Sequence, residues 1–148
     1  MLSKITMTIR TYAAISAALC LTVTAAYADV VVVVGAKSGI RTLTKIQVAG
    51  IFLAKKAYPL PDGEDAMPLD LYEGNPIRDE FYAKVTGKSA AQLQAYWPDA
   101  MLSGLSSPRP MRMSDIDAVK QMLDRNPDYI GYIRKKAVDG SVRVVLEP

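Results

Sequence analysis

The run Val30-Val31-Val32-Val33-Val34, closed by Gly35, decides the fold class. Five β-branched residues with no polar alternation read as a strand covered on both faces, and such strands sit in sheets flanked by helices. Its expected neighbours are parallel strands. After the loop from Gly35 to Arg41, Thr44 and Gln47 form a capping box. Leu43, Ile46, Ala49, Ile51, Phe52 and Leu53 then supply the apolar face of a helix.

Toward the N-terminus, Lys4 and Arg10 precede an uncharged stretch from Tyr12 to Ala26, and Ala26-Tyr27-Ala28 stands in an A-x-A arrangement before Asp29. That is the pattern of a secretory signal, cleaved after about Ala28 and leaving residues 29–148 as the working domain. A retained anchor needs about twenty apolar residues, more than this Ala- and Thr-rich segment offers. A lipid-modified Cys20 would call for a small residue before it, where Leu19 stands. The expected compartment is therefore periplasmic or extracellular, with no membrane contact after cleavage.

Toward the C-terminus the signals alternate. Pro59, Pro61 and Asp62-Gly63 mark a turn-rich connection, and Ala66 to Leu71 reads as a short strand whose Pro68 fits an edge or a strand start. Asn75-Pro76 opens a helix with Ile77, Phe81 and Val85 on one face and Gly87 at its end. Ser89 and Gln92 cap the next helix, which Pro98 should interrupt or kink. Ser103 to Pro110 reads as a surface loop. Ser114 opens a helix buried through Ile116, Val119, Met122 and Leu123 and closed by Asn126-Pro127. Strands from Tyr129 to Ile133 and Ser141 to Leu146 follow, with Val142, Val144 and Leu146 on one face of the second. Strands alternating with helices predict one α/β domain: a three-layer lobe with a mixed, mostly parallel sheet and helices on both faces.

Composition narrows the chemistry. The chain has no His, and its one Cys lies in the expected signal, so the commonest general base, the thiolate nucleophile and the usual zinc ligands are missing from the domain. No catalytic residue, metal site or cofactor is expected. Asp62, Glu64 and Asp65 cluster in a Pro-Gly turn, where a solvated loop explains them better than an acid–base pair or a calcium loop. The 18 basic residues, Lys4 and Arg10 among them, nearly balance 15 acidic ones and are spread along the chain, so nucleic acid is not an expected partner. Strand ends and helix starts in an open α/β sheet are expected to converge on one edge, where free N–H groups and helix dipoles attract anions. Two such starts stand out, Lys37 to Gly39 after the first strand and Gly74-Asn75 before the helix. Ser38, Gly39, Gly74, Asn75 and Arg78 are the candidate anion ligands.

The order of Val30 to Val34, Val48-Ala49-Gly50-Ile51-Phe52-Leu53-Ala54-Lys55, Pro61-Asp62-Gly63, Gly74 to Phe81 and Asn126-Pro127-Asp128-Tyr129-Ile130-Gly131-Tyr132 resembles the phosphate-binding proteins of ABC uptake systems. The resemblance covers nearly all of Asp29 to Pro148 and implies a single lobe of a two-lobed, type 2 periplasmic binding protein. It implies a non-enzymatic protein that takes phosphate or another small anion, weakly for want of the second lobe. The family's usual Ser-Gly-Thr and preceding Arg are replaced by Glu73-Gly74-Asn75 and by Leu69 or Asp70. Only the glycine carries over, and a carboxylate at Glu73 would repel a phosphate dianion. The alternative expectation is an envelope interaction module that has lost phosphate binding.

Overall fold

The computed structural model describes residues 29–55, 66–104 and 109–148. The expected signal segment, the turn-rich connection with its three carboxylates and the middle of the 103–110 loop (105–108) lie outside these residues. In chain order the elements are β1 (Val30–Gly35), α1 (Lys45–Phe52), β2 (Met67–Leu71), α2 (Pro76–Thr86), α3 (Ala90–Leu102), β3 (Met111–Met113), α4 (Ile116–Arg125), β4 (Tyr129–Arg134) and, after a 3-10 turn at Lys135–Ala137, β5 (Val142–Leu146).

The strands form one five-stranded sheet in the order β3-β2-β4-β1-β5. Every residue of β1 is buried, as an unbroken Val run requires. The direction of its neighbours, however, corrects the expectation: β1 is antiparallel to both β4 and β5, while β2 is parallel to β3 and β4. The sheet is thus mixed and only partly parallel. Burial on both faces demands helices above and below a strand but says nothing about the direction of the strands beside it.

Helices cover both faces. Gly131 of β4 faces α4, where a Cβ would stand 2.7 Å from Val119 Cγ1, and a Cβ on Gly35 would meet the Leu123 carbonyl oxygen at 2.2 Å. On the opposite face Tyr132 stacks on Phe81 of α2 with ring centroids 4.0 Å apart, and Phe52 of α1 meets Phe81 edge-on at 4.6 Å. These aromatics and the β1 valines form the centre of the core.

Local signals set most element boundaries. Thr44 and Ser89 both complete capping boxes, Asn75 Oδ1 accepts from the Ile77 N–H at 3.0 Å, and Gly87 ends α2 in the left-handed region at φ 70°. Pro68 lies near the start of β2, the second of the two positions expected for it, since β2 is an interior strand and not an edge. Four details depart from the sequence reading. Asp115 rather than Ser114 caps α4. Helix α3 runs on through Pro98. Ile46 is 67% exposed instead of joining the core. In β5 the register to β1 shifts between Val32 and Val33, so strict alternation fails and Val145 is buried while Val144 and Leu146 are half-buried.

Candidate anion-binding edge

The two expected helix starts do not converge. Because β1 runs antiparallel to β4 and β2 runs parallel to it, the chain leaves β1 and β2 at opposite ends of the sheet. Ser38 and Gly39 therefore lie at one end, and Gly74, Asn75 and Arg78 at the other.

The first end is built around a cation. Arg143 of β5 donates from Nη1 to the carbonyls of Ser38 (3.0 Å) and Ile40 (3.3 Å) and from Nη2 to that of Ala36 (2.8 Å). Ser38 is buried, and its Oγ accepts the Ile40 N–H at 3.3 Å. The loop thus turns carbonyl oxygens inward onto a guanidinium, the reverse of an amide cradle for an anion. Ala36, Lys37 and Gly39 are exposed in this loop, while Ser38 and Ile40 are buried.

At the second end, the Asn75 N–H bonds the Tyr72 carbonyl at 3.2 Å, closing a turn through Glu73 and Gly74. Gly74 has φ 84°, and no atom lies within 4 Å of where its Cβ would be, so approach to the backbone is open. Asn75 spends its Oδ1 on the helix cap. Arg78 neither faces water nor reaches outward. Only 2% exposed, it donates from Nε to Asp70 Oδ2 at 3.1 Å and lies over the Tyr82 ring. Asp70 also accepts the hydroxyls of Tyr82 (3.0 Å) and Tyr132 (2.5 Å), and the Tyr132 oxygen accepts the Leu71 N–H at 3.0 Å. Burial pushes both tyrosines well above the usual phenol range, and the Asp70 charge adds to it. Burial works against the charge on Arg78, yet Asp70 beside it holds its pKa above the ordinary guanidinium value.

This network is fully engaged, with three donors on one carboxylate, so Asp70 is a structural anchor for the end of β2 and the start of α2 and not a free base. Sequence reading missed it, because Asp70 and Tyr132 meet only through sheet pairing.

The outward-facing charge comes from residues the sequence reading left outside the site. Arg112 of β3 sits opposite Asp70 in register and donates from Nη2 to Glu73 Oε1 at 2.6 Å. The Arg112 hydrogen bond, then its charge, hold the Glu73 carboxyl below its usual range, with smaller help from Arg78 and Arg109. The carboxylate expected to repel an anion is thus already matched by a guanidinium. Arg109, whose guanidinium lies over the Trp97 ring 5.2 Å from its centroid, completes a cationic rim. Among the described residues no group of three or more Asp, Glu, His or Cys is placed to hold a metal ion.

The fold is similar to that of solved proteins. One match is an ABC-type phosphate transport receptor from Vibrio cholerae, with a TM-score of 0.58 at 16% identity over 79% of this chain and 45% of that one. The fold is that of one lobe of a periplasmic binding protein. A phosphate ABC transporter substrate-binding protein with bound phosphate from Clostridium perfringens matches the lobe with a TM-score of 0.57 at 16% identity, over 79% of this chain and 44% of that one. A possible phosphate binding protein from Planctomyces limnophilus gives 0.53 at 14% identity, over 79% and 40%. The lobe spans less than half the length of each of these three proteins. No protein-family model matches the sequence, and no curated protein matches it significantly.

Proposed function

We propose that this protein is an exported, non-enzymatic binding lobe that takes phosphate or another small oxyanion at the start of α2. The observation carrying this reading is the open approach to Gly74 at the start of α2, beside the Arg112 and Arg109 guanidinium groups, on a fold shared with proteins described as phosphate receptors. The dipole at a helix start and nearby guanidinium groups favour a compact anion. The lobe offers one wall of a site, so the affinity expected is low: a Kd on the order of 0.1 to 1 mM, about −4 to −5.5 kcal/mol. Among the described residues of the edge, the carboxylates of Asp70 and Glu73 are both engaged by guanidinium groups. Among the described residues no helix is long and apolar enough to cross a membrane, and the A-x-A pattern before Asp29 supports export and cleavage there.

Calorimetric titration with inorganic phosphate tests the reading. Asn75→Ala and Arg112→Ala are expected to weaken binding about tenfold, equivalent to about 1.4 kcal/mol, whereas Ser38→Ala, at the far end of the sheet, leaves it unchanged. Absence of heat at millimolar phosphate would instead favour a second reading, an envelope interaction module. One contact supports that alternative: Glu73 already gives Arg112 an anionic partner, so the edge can be complete without a free ion. The intact mass of the protein recovered from the envelope of expressing cells checks export, with Asp29 expected as its first residue.

A further inference from the structure

A second recess lies at the other end of α2, about 15 Å along the helix from Asn75. It is a pocket of about 230 Å³ lined by Lys45, Ile46, Ala49, Gly50, Lys55 and Val85, between α1 and the last turn of α2. Among the described residues, its lining is apolar except for the two lysines. Gly50 is helical with no positive φ, so it gives the pocket backbone without a side chain. Ile46, which the sequence pattern assigns to the core, is instead 67% exposed beside this recess. A large β-branched residue in the first turn of a helix, left uncovered next to a pocket, is apolar surface still to be buried.

Size and charge define what would fit. Pockets for drug-sized ligands run to roughly 300–1,000 Å³, and this one is smaller, with room for a single branched aliphatic or phenyl group. Lys45, exposed at the start of α1, favours a negative group on that body. We propose that the α1–α2 recess is a binding site for a small amphipathic monocarboxylate, its apolar group against Ile46, Ala49 and Val85 and its carboxylate toward Lys45. An apolar body satisfies the apolar lining, and a carboxylate is a compact anionic head for the Lys45 ammonium.

The proposal does not depend on phosphate binding at Gly74-Asn75, since the two places lie at opposite ends of α2. Backbone NMR of the ¹⁵N-labelled protein, titrated separately with phenylacetate, phenylacetamide and inorganic phosphate, distinguishes them. Phenylacetate is expected to shift Ile46, Ala49, Gly50 and Val85 saturably. The neutral amide should bind at least fivefold more weakly, and phosphate should leave these four signals in place. Lys45→Gln and Ile46→Ser, both on exposed positions, should each weaken phenylacetate at least threefold with the rest of the spectrum preserved. Equal binding of acid and amide, saturable shifts elsewhere only, or no saturable shift at all would overturn the proposal.

Discussion

Asp70 shows how one side chain can govern two elements. It is buried and holds Arg78, Tyr82 and Tyr132 at once, so removing its charge leaves a guanidinium in the interior with no counter-ion. Breaking a buried ion pair on one side costs about 3–5 kcal/mol, whereas replacing both partners by apolar residues can be neutral. Asp70→Asn is therefore expected to lower unfolding free energy by about 3 kcal/mol or more in urea titrations, and the pair Asp70→Leu with Arg78→Met to restore only part of it, because the buried Tyr82 and Tyr132 hydroxyls then lose their acceptor. The tyrosines carry a pH signature. Their folded pKa values lie above the ordinary value of 10.0, so their contribution is whole below about pH 10 and is lost as the pH rises, because only the unfolded chain then ionises. The slope is about 1.4 kcal/mol per pH unit for each tyrosine. Tyrosinate absorbance should show the two phenols ionising only as the protein unfolds. None of this was legible in the sequence, since 62 residues separate Asp70 from Tyr132 and only strand pairing brings them together.

Among the elements, what the sequence did reveal was local. Capping boxes at Thr44 and Ser89, the Asn75-Pro76 start and the Gly87 stop are readable because each involves residues within a turn of one another. Gly87→Ala is expected to cost about 1–2 kcal/mol, all of it from the backbone, since a Cβ there meets nothing. Reading failed where a rule about isolated helices met tertiary packing. Helix α3 continues through Pro98 because Leu93, Trp97 and Ala100 anchor it on either side, and the carbonyl that loses its partner belongs to exposed Gln94. Pro98→Ala should raise the melting temperature, by an amount equivalent to roughly 1–3 kcal/mol. Strand β3 escaped notice for another reason: three residues are too few to show a period. The close seat of α4 on the sheet orders two further variants. Gly35→Ala drives a Cβ into a backbone carbonyl, while Gly131→Ala presses on a side-chain methyl. The first should therefore destabilise more than the second, for which about 1–3 kcal/mol is expected.

For the molecule as a whole, composition and alternation gave the right class, an α/β lobe, and the wrong geometry for its candidate site. The mistake had a single source. Placing Ser38 beside Gly74 assumed that β1 and β2 run in the same direction, and no property of a Val run encodes direction. With the two ends separated, the charged rim at Gly74, Arg109 and Arg112 and the carbonyl-lined Arg143 become independent features. An anion held at the exposed rim should lose affinity as salt rises from 10 to 150 mM, since the Debye length falls from about 30 to about 8 Å between 0.01 and 0.15 M ionic strength. Calorimetry at the two salt concentrations checks this.

The position of β1 between β4 and β5 also bears on when the chain can fold. The strand that leaves the ribosome first among the described elements finds its partners only in β4 and β5, the last strands of the sheet to be made, so its hydrogen-bonding edges stay bare until both have emerged. Such long-range closure is slow and keeps a nascent chain open. Loss of β5 alone would leave Val32, Val33, Val34 and Gly35 without a neighbour on one side.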